Sequence, residues 1–157
     1  MATEVQFQLV TFRLGEELYG VNIMDVKEIV RLQNVRVIPN APYYVEGIIK
    51  LRSEIIPIID LHKRFNIQST AKPEDIEMEG GFIILDIEGS KIGIIIDKVE
   101  RVVTIKEEDV KEPPQMLSGI GNEYIEGVVR EDHGYLIMLN TRKLFNASEL
   151  QKIIDIQ

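Results

Sequence analysis

Residues Gln6-Phe-Gln-Leu-Val-Thr-Phe12 alternate between apolar and polar side chains. That is the period of a strand with one face buried. Short apolar segments of this kind recur along the chain, separated by turn residues. They predict strands near 6–14, 17–23, 26–32, 45–52 and 54–59, then near 82–88, 91–96, 98–105, 125–131 and 134–139. The connections carry turn chemistry at Leu14-Gly-Glu-Glu, Ile87-Glu-Gly-Ser and Glu131-Asp-His-Gly. Ile55-Ile-Pro-Ile-Ile59 is a continuous apolar run, as expected of a strand buried on both sides or lying at a seam. Pro57 has no N–H to give a ladder, so this strand is predicted to lie at an edge or to carry a bulge.

The two groups of strands are copies of one another. Residues 44–65 (YVEGIIKLRSEIIPIIDLHKRF) align without a gap over residues 124–145 (YIEGVVREDHGYLIMLNTRKLF), at an offset of 80. Tyr44 falls on Tyr124, Gly47 on Gly127 and Phe65 on Phe145. The preceding segments align at an offset of 73, with Gly20 over Gly93 and Val26 over Val99. Such a period is too long for a solenoid unit and indicates two copies of a small β module.

Helix is sparse in this pattern. Asn40–Gly47 reads as one or two turns, and Asp60 and Asn140 each cap a single turn. Ser148 with Gln151 forms a capping box ahead of Leu150, Ile153 and Ile154. This predicts a C-terminal amphipathic helix over 147–157. Asn66–Gly80 is polar and reads as a loop between the modules. The expected fold is all-β: two five-stranded SH3-like β-barrels in tandem, with short helices. One barrel is expected near 15–66 and the other near 81–146.

Composition narrows the range of functions. Roughly a quarter of the chain is Ile or Val, residues that fit a pleated surface. A formal net charge of −8 opposes binding to nucleic acid or to anionic membranes. There is no Cys, so disulfides, thiolate metal sites and thiol nucleophiles are excluded. The N-terminus lacks a signal-peptide pattern, and apolar runs such as Ile92–Ile96 fall far short of the roughly 20 residues that span a bilayer. A cytoplasmic address is expected.

Catalytic motifs are lacking. The two histidines, His62 and His133, stand in polar sequence and read as solvated side chains. There is no phosphate loop, zinc-protease motif or nucleophile elbow. Acidic runs such as Glu107-Glu-Asp109 read as solvated faces. Arg52 is either an anchor for a partner or a turn residue bonded to nearby carbonyls. Gly47, Gly93 and Gly127 mark either barrel corners or flat patches against which another chain could lie. Val26, Val99, Ile29 and Val102 read as core positions.

A set of longer motifs carries a resemblance. They are Glu17-Leu-Tyr-Gly-Val-Asn-Ile, Val26-Lys-Glu-Ile29, Pro39-Asn-Ala-Pro, Val45-Glu-Gly-Ile-Ile-Lys-Leu-Arg52 and Ile56-Pro-Ile-Ile-Asp-Leu61. The second copy adds Ile92-Gly-Ile-Ile-Ile-Asp97-Lys-Val and Tyr124-Ile-Glu-Gly-Val-Val. Together they resemble the CheW family over about residues 5–150, and the chain reads as a single CheW-like domain. The resemblance implies two five-stranded barrels, with the N-terminal strand 5–14 free to pair in either. It implies a non-enzymatic chemotaxis adaptor that needs no cofactor or metal. The implied partners are the cytoplasmic tip of methyl-accepting chemoreceptors and the regulatory domain of the histidine kinase CheA. Alone the adaptor would be a monomer; with the kinase it would build rings in receptor arrays at the inner membrane, without inserting into the bilayer.

Carried over by position, the resemblance implies a receptor groove lined by Val26, Gly47, Arg52, Gly93, Val99 and Gly127. Kinase contacts would fall to Glu28, Arg36 and Glu46, with a second ring contact at Lys111 and Met116. Lys50 and Ser53 depart from the Asn and Gly common in the family. The chain length leaves no room for a kinase or receiver domain, so a stand-alone adaptor is expected. The competing reading is a small-ligand or anion sensor built on duplicated barrels; a carboxylate-based metal hydrolase lacks a motif.

Overall fold

The computed structural model describes residues 5–67, 73–113, 122–132, 134–144 and 152. Its strands are β1 (Gln6–Leu14), β2 (Glu17–Asn22), β3 (Val26–Arg31), β4 (Val45–Leu51), β5 (Glu54–Asp60), β6 (Gly81–Ile87), β7 (Ser90–Ile96), β8 (Lys98–Lys106), β9 (Ile125–Glu131) and β10 (Gly134–Leu139). Each agrees with the sequence pattern to within one residue at either end. Two short helices, α1 (Leu61–Phe65) and α2 (Pro73–Glu79), lie between β5 and β6. Asp60 caps α1 by accepting the His62 N–H at 3.0 Å, and Asn66 ends it in the left-handed conformation.

The strands form two five-stranded sheets, ordered β8-β1-β2-β10-β9 and β3-β6-β7-β5-β4. Each sheet takes its first two repeat strands from one copy and its last three from the other. Residues 15–66 and 81–146 therefore do not each close a barrel, and the N-terminal strand pairs with β2 and β8. The copies meet in parallel pairings, Leu136 opposite Leu18 and Ile58 opposite Gly93. Equivalent strands carry equivalent patterns, so periodicity cannot say which copy a strand joins. The 3₁₀ turn at Ile23–Asp25 decides it for β3. Asn22 accepts the Met24 N–H at 2.9 Å, and Asp25 accepts the Thr141 hydroxyl at 2.9 Å. The chain thus leaves β2 and enters the other sheet.

Each sheet is closed by one backbone bridge. Arg36 and Ile48 exchange N–H···O bonds of 2.8 and 2.9 Å, and Lys111 and Val128 do the same at 2.8 and 2.9 Å. Because Ile48 spends both backbone groups on Arg36, its pairing with Pro57 in β5 exchanges none. The missing N–H of Pro57 therefore costs that ladder nothing. β5 is an interior strand, and the bulge lies on its partner β4, between Val45 and Gly47.

Side chains alternate between two apolar environments. In β6, Phe82 and Ile84 fill one barrel while Ile83, Leu85 and Ile87 face the layer shared by the two sheets. In β10, Leu136 and Met138 fill the second barrel while Ile137 and Leu139 join the shared layer. The shared layer includes Phe12, Tyr19, Phe65 and Leu144, all buried. This double burial explains the continuous run Ile56–Ile59, whereas Ile55, at the start of β5, is exposed. Each fully buried Ile contributes roughly 1.5–3 kcal/mol.

Several local expectations change. Residues 73–79 are helical, because Pro73 occupies the first helical position with Glu74 and Asp75 in the first turn. The stretch Asn40–Gly47 forms no helix: residues 40–44 are turns and loop and Val45–Gly47 open β4, because Pro42 lacks a donor and Asn40 has φ of 63°. His62 is largely enclosed between two aspartates instead of solvated. His133, the helix expected over 147–157 and Met116 lie outside the described residues.

Candidate functional site

The β4–β5 hairpin closes at Leu51 opposite Glu54, leaving a two-residue turn. Both turn residues have positive φ, 46° at Arg52 and 72° at Ser53. This is the type I′ geometry that suits hairpin twist and normally employs Asn or Gly. It pushes the Arg52 side chain out at the barrel corner, where Nη2 donates to both carboxylate oxygens of Glu28 on β3. Arg52 is thus a turn residue that pairs with a carboxylate instead of a carbonyl.

Beside this pair lies a cleft of about 110 Å³, lined by Lys27, Leu51, Ile56 and Ile84 and by a second ion pair. In that pair Lys91 Nζ lies 2.7 Å from Glu54. The Lys91 bond holds the Glu54 carboxyl below its ordinary range. Both Arg52 and Lys91 are matched by acids, which leaves the cleft poorly suited to capturing an anion.

The remaining candidates group in pairs. Gly47 sits under the Arg36–Ile48 bridge; a Cβ there would meet the Arg36 carbonyl oxygen at 2.1 Å. Gly127 sits under the matching Lys111–Val128 bridge, with Val110 Cγ1 at 2.4 Å from such a Cβ. Both glycines are buried and allow two backbones to approach closely. Gly93 faces into its barrel, where Ile58 Cδ1 would meet a Cβ at 2.5 Å. Glu46 binds Lys63 at 3.0 Å and raises the lysine's pKa. Val26 and Val99 are half-buried against the shared layer. Residues assigned to different faces by sequence position are thus neighbours: Gly47 with Arg36, Arg52 with Glu28, Gly127 with Lys111. Gly93 stands apart in the interior.

Two residues expected in the core stand out on the surface instead. Ile29 on β3 and Val102 on β8 are 43% and 50% exposed. They occupy matching positions on the outer strand of each sheet. The strand alternation could have revealed Ile29, which shares a face with Lys27 and Arg31, while Val26 and Val30 turn inward.

Among the described residues, no group of three or more His, Cys, Asp or Glu side chains is placed to hold a metal ion. No helix among them is long and apolar enough to cross a membrane.

A family model described as the CheW-like domain matches residues 8–149. The chain belongs to the CheW family. It is 60% identical over 151 residues to the chemotaxis protein CheW of Treponema pallidum, covering 96% of this chain and 89% of that one. To the Klebsiella aerogenes CheW it is 29% identical, covering 95% of this chain and 87% of that one. A crystal structure of the scaffolding protein TtCheW from Thermoanaerobacter tengcongensis aligns with a TM-score of 0.80 at 38% identity, covering 92% and 91% of the two chains. The family's two-sheet architecture therefore holds along nearly the whole chain.

Proposed function

We propose that the protein is a chemotaxis scaffold without catalytic activity of its own. It couples the cytoplasmic tip of methyl-accepting chemoreceptors to the regulatory domain of CheA. The supporting observation is the chain-long match to the CheW-like domain, with 60% identity to a chemotaxis protein CheW. In this reading Val26, Arg52 and Val99 contact the receptor, Gly47 and Gly127 act by permitting close backbone packing beneath that surface, and Gly93 leaves room for Ile58 and Ile84 inside its barrel. Glu28, Arg36 and Glu46 contact the kinase; Lys111 and Met116 make the second ring contact. The protein would act at cytoplasmic receptor arrays on the inner membrane. Its contribution would be proximity: holding kinase beside receptor raises their effective concentration.

Titration calorimetry tests this. The full chain is titrated with a CheA regulatory domain, and separately with a receptor-tip fragment. Binding of both supports the scaffold reading. Binding of neither, with partners cognate to this protein, overturns it.

A further inference from the structure

We propose that His62 is a proton-dependent clasp between the two barrels, bridging Asp60 and Asp97 only when both ring nitrogens carry a proton. The geometry makes the case. Nδ1 lies 2.9 Å from Asp60 Oδ1, and Nε2 lies 3.0 Å from Asp97 Oδ1 and 3.1 Å from Oδ2. An ionised carboxylate accepts hydrogen bonds and donates none, whereas a neutral imidazole has a single N–H. A neutral ring would therefore turn a lone pair towards one of the two carboxylates. The imidazolium satisfies both.

The bridge joins parts of different sheets. Asp60 ends β5 and caps α1, in the second sheet. Asp97 lies between β7 of that sheet and β8 of the first. It accepts the Gly15 N–H at 2.9 Å from the β1–β2 turn, and its own N–H bonds the Arg13 carbonyl at 3.0 Å. Asp97 is buried, and the His62 side chain is only 13% exposed. The path from α1 through His62 and Asp97 to Gly15 is thus a polar tie between the sheets, separate from the one that Thr141 and Asp25 make.

The other charges around the clasp are occupied elsewhere. On α1, Lys63 pairs with Glu46 of β4, and Arg64 lies over the Tyr44 and Tyr124 rings. On β1, Arg13 pairs with Glu100 of β8 and bonds the Glu16 carbonyl. Lys98 lies 3.8 Å from Glu79 of α2. Glu17 in β2 is exposed. Asp60 and Asp97 are the charges that bond the ring. Burial works against the His62 charge, but the two carboxylates outweigh it and raise its pKa to about 9. The clasp is therefore closed at neutral pH and opens in the alkaline range. This does not depend on what the protein binds.

The test is NMR of the full chain between pH 6 and 10.5, following the His62 Cε1–Hε1 and Gly15 Cα–Hα signals. His133→Gln assigns the two histidines. We expect His62 to inflect well above pH 8 and Gly15 to shift with the same midpoint. His62→Arg, which keeps a charge and two donors, should abolish the Gly15 titration while keeping the fold; His62→Gln should do so with Gly15 shifted already at neutral pH. If His62→Gln does not fold, the wild-type and His62→Arg titrations decide alone. A His62 inflection near 6.5, or a Gly15 signal that ignores it, overturns the proposal.

Discussion

Glu28 and Arg52 come from strands at opposite ends of one sheet order, β3 and the β4–β5 turn, and meet in an ion pair. The pair ties β3 to the turn that ends β4, while the Arg36–Ile48 bridge ties the segment after β3 to β4 itself. Arg52 is 68% exposed and Glu28 27%, so the pair adds little to stability, on the order of 0.2–1 kcal/mol. Its effect on binding is expected to be larger. A partner that contacts either side chain must also meet the other. Glu28→Gln and Arg52→Ala should therefore each weaken both receptor and kinase binding, and the double variant should lose less than the sum. Calorimetry over the double-mutant cycle checks this; strictly additive losses, each confined to one partner, would show independent faces.

The glycines should rank by what surrounds them. Gly47→Ala puts a Cβ against backbone at 2.1 Å with φ of 153°, and neither can relax cheaply. A loss of about 3 kcal/mol or more is expected. Gly93→Ala and Gly127→Ala clash with the side-chain methyls of Ile58 and Val110 and should cost less, about 1–3 kcal/mol. Urea unfolding of the three variants would give the order. A stable Gly47→Ala that had lost only receptor binding would contradict the packing role.

Ser53 holds a left-handed conformation at φ of 72°, at the turn position where Gly is free of strain. Ser53→Gly should raise stability by about 1 kcal/mol. For a chain of this size that is a rise of roughly 2–4 °C in Tm. A thermal melt that shifts down would mean the hydroxyl makes a contact worth more than the strain.

Stability should depend on pH through His62 and Asp60. The His62 pKa is raised to about 9 in the folded protein, above the unfolded value near 6.5. Its contribution is therefore complete below about pH 6.5 and is lost as pH rises through 9. Asp60 behaves oppositely. Burial raises its pKa, but hydrogen bonds and charge from His62 lower it further. Its contribution is present above the ordinary carboxylate range and fades as pH falls through the lowered value. Melting temperatures should peak between these limits, and His62→Arg should flatten the decline between pH 7 and 9.5. An equal decline in both proteins would assign it to other groups.

Arg64 lies 4.1 Å from the Tyr44 ring centroid and 5.0 Å from that of Tyr124, the two matching tyrosines of the repeat. Cation–π contacts of this kind are worth about 0.5–2 kcal/mol. Arg64→Met should cost about that amount in denaturant, whereas Tyr43→Ala, at an exposed ring, should cost less. A neutral Arg64→Met would leave the contact without energetic weight.

The strands, the hairpin turns, the Asp60 cap and the family are all legible along the chain. These features are local: alternation, turn residues and caps act over a few residues, and each motif can be read where it stands. For Arg52 the sequence left two readings open, a partner anchor or a turn residue, and only the backbone, with φ of 46°, puts it in the turn. The tertiary structure alone decided which copy each strand joins, because β1 and β6, or β3 and β8, carry interchangeable patterns. It decided that Pro57 lies in an interior strand, since only the Arg36 bridge shows that Ile48 has no backbone bond left to exchange. It decided that His62 is enclosed, because Asp97 lies 35 residues away and polar neighbours in sequence say nothing of neighbours in space. And it decided that Arg52 belongs with Glu28, because charge pairing across a barrel follows from closure and leaves no trace in local periodicity.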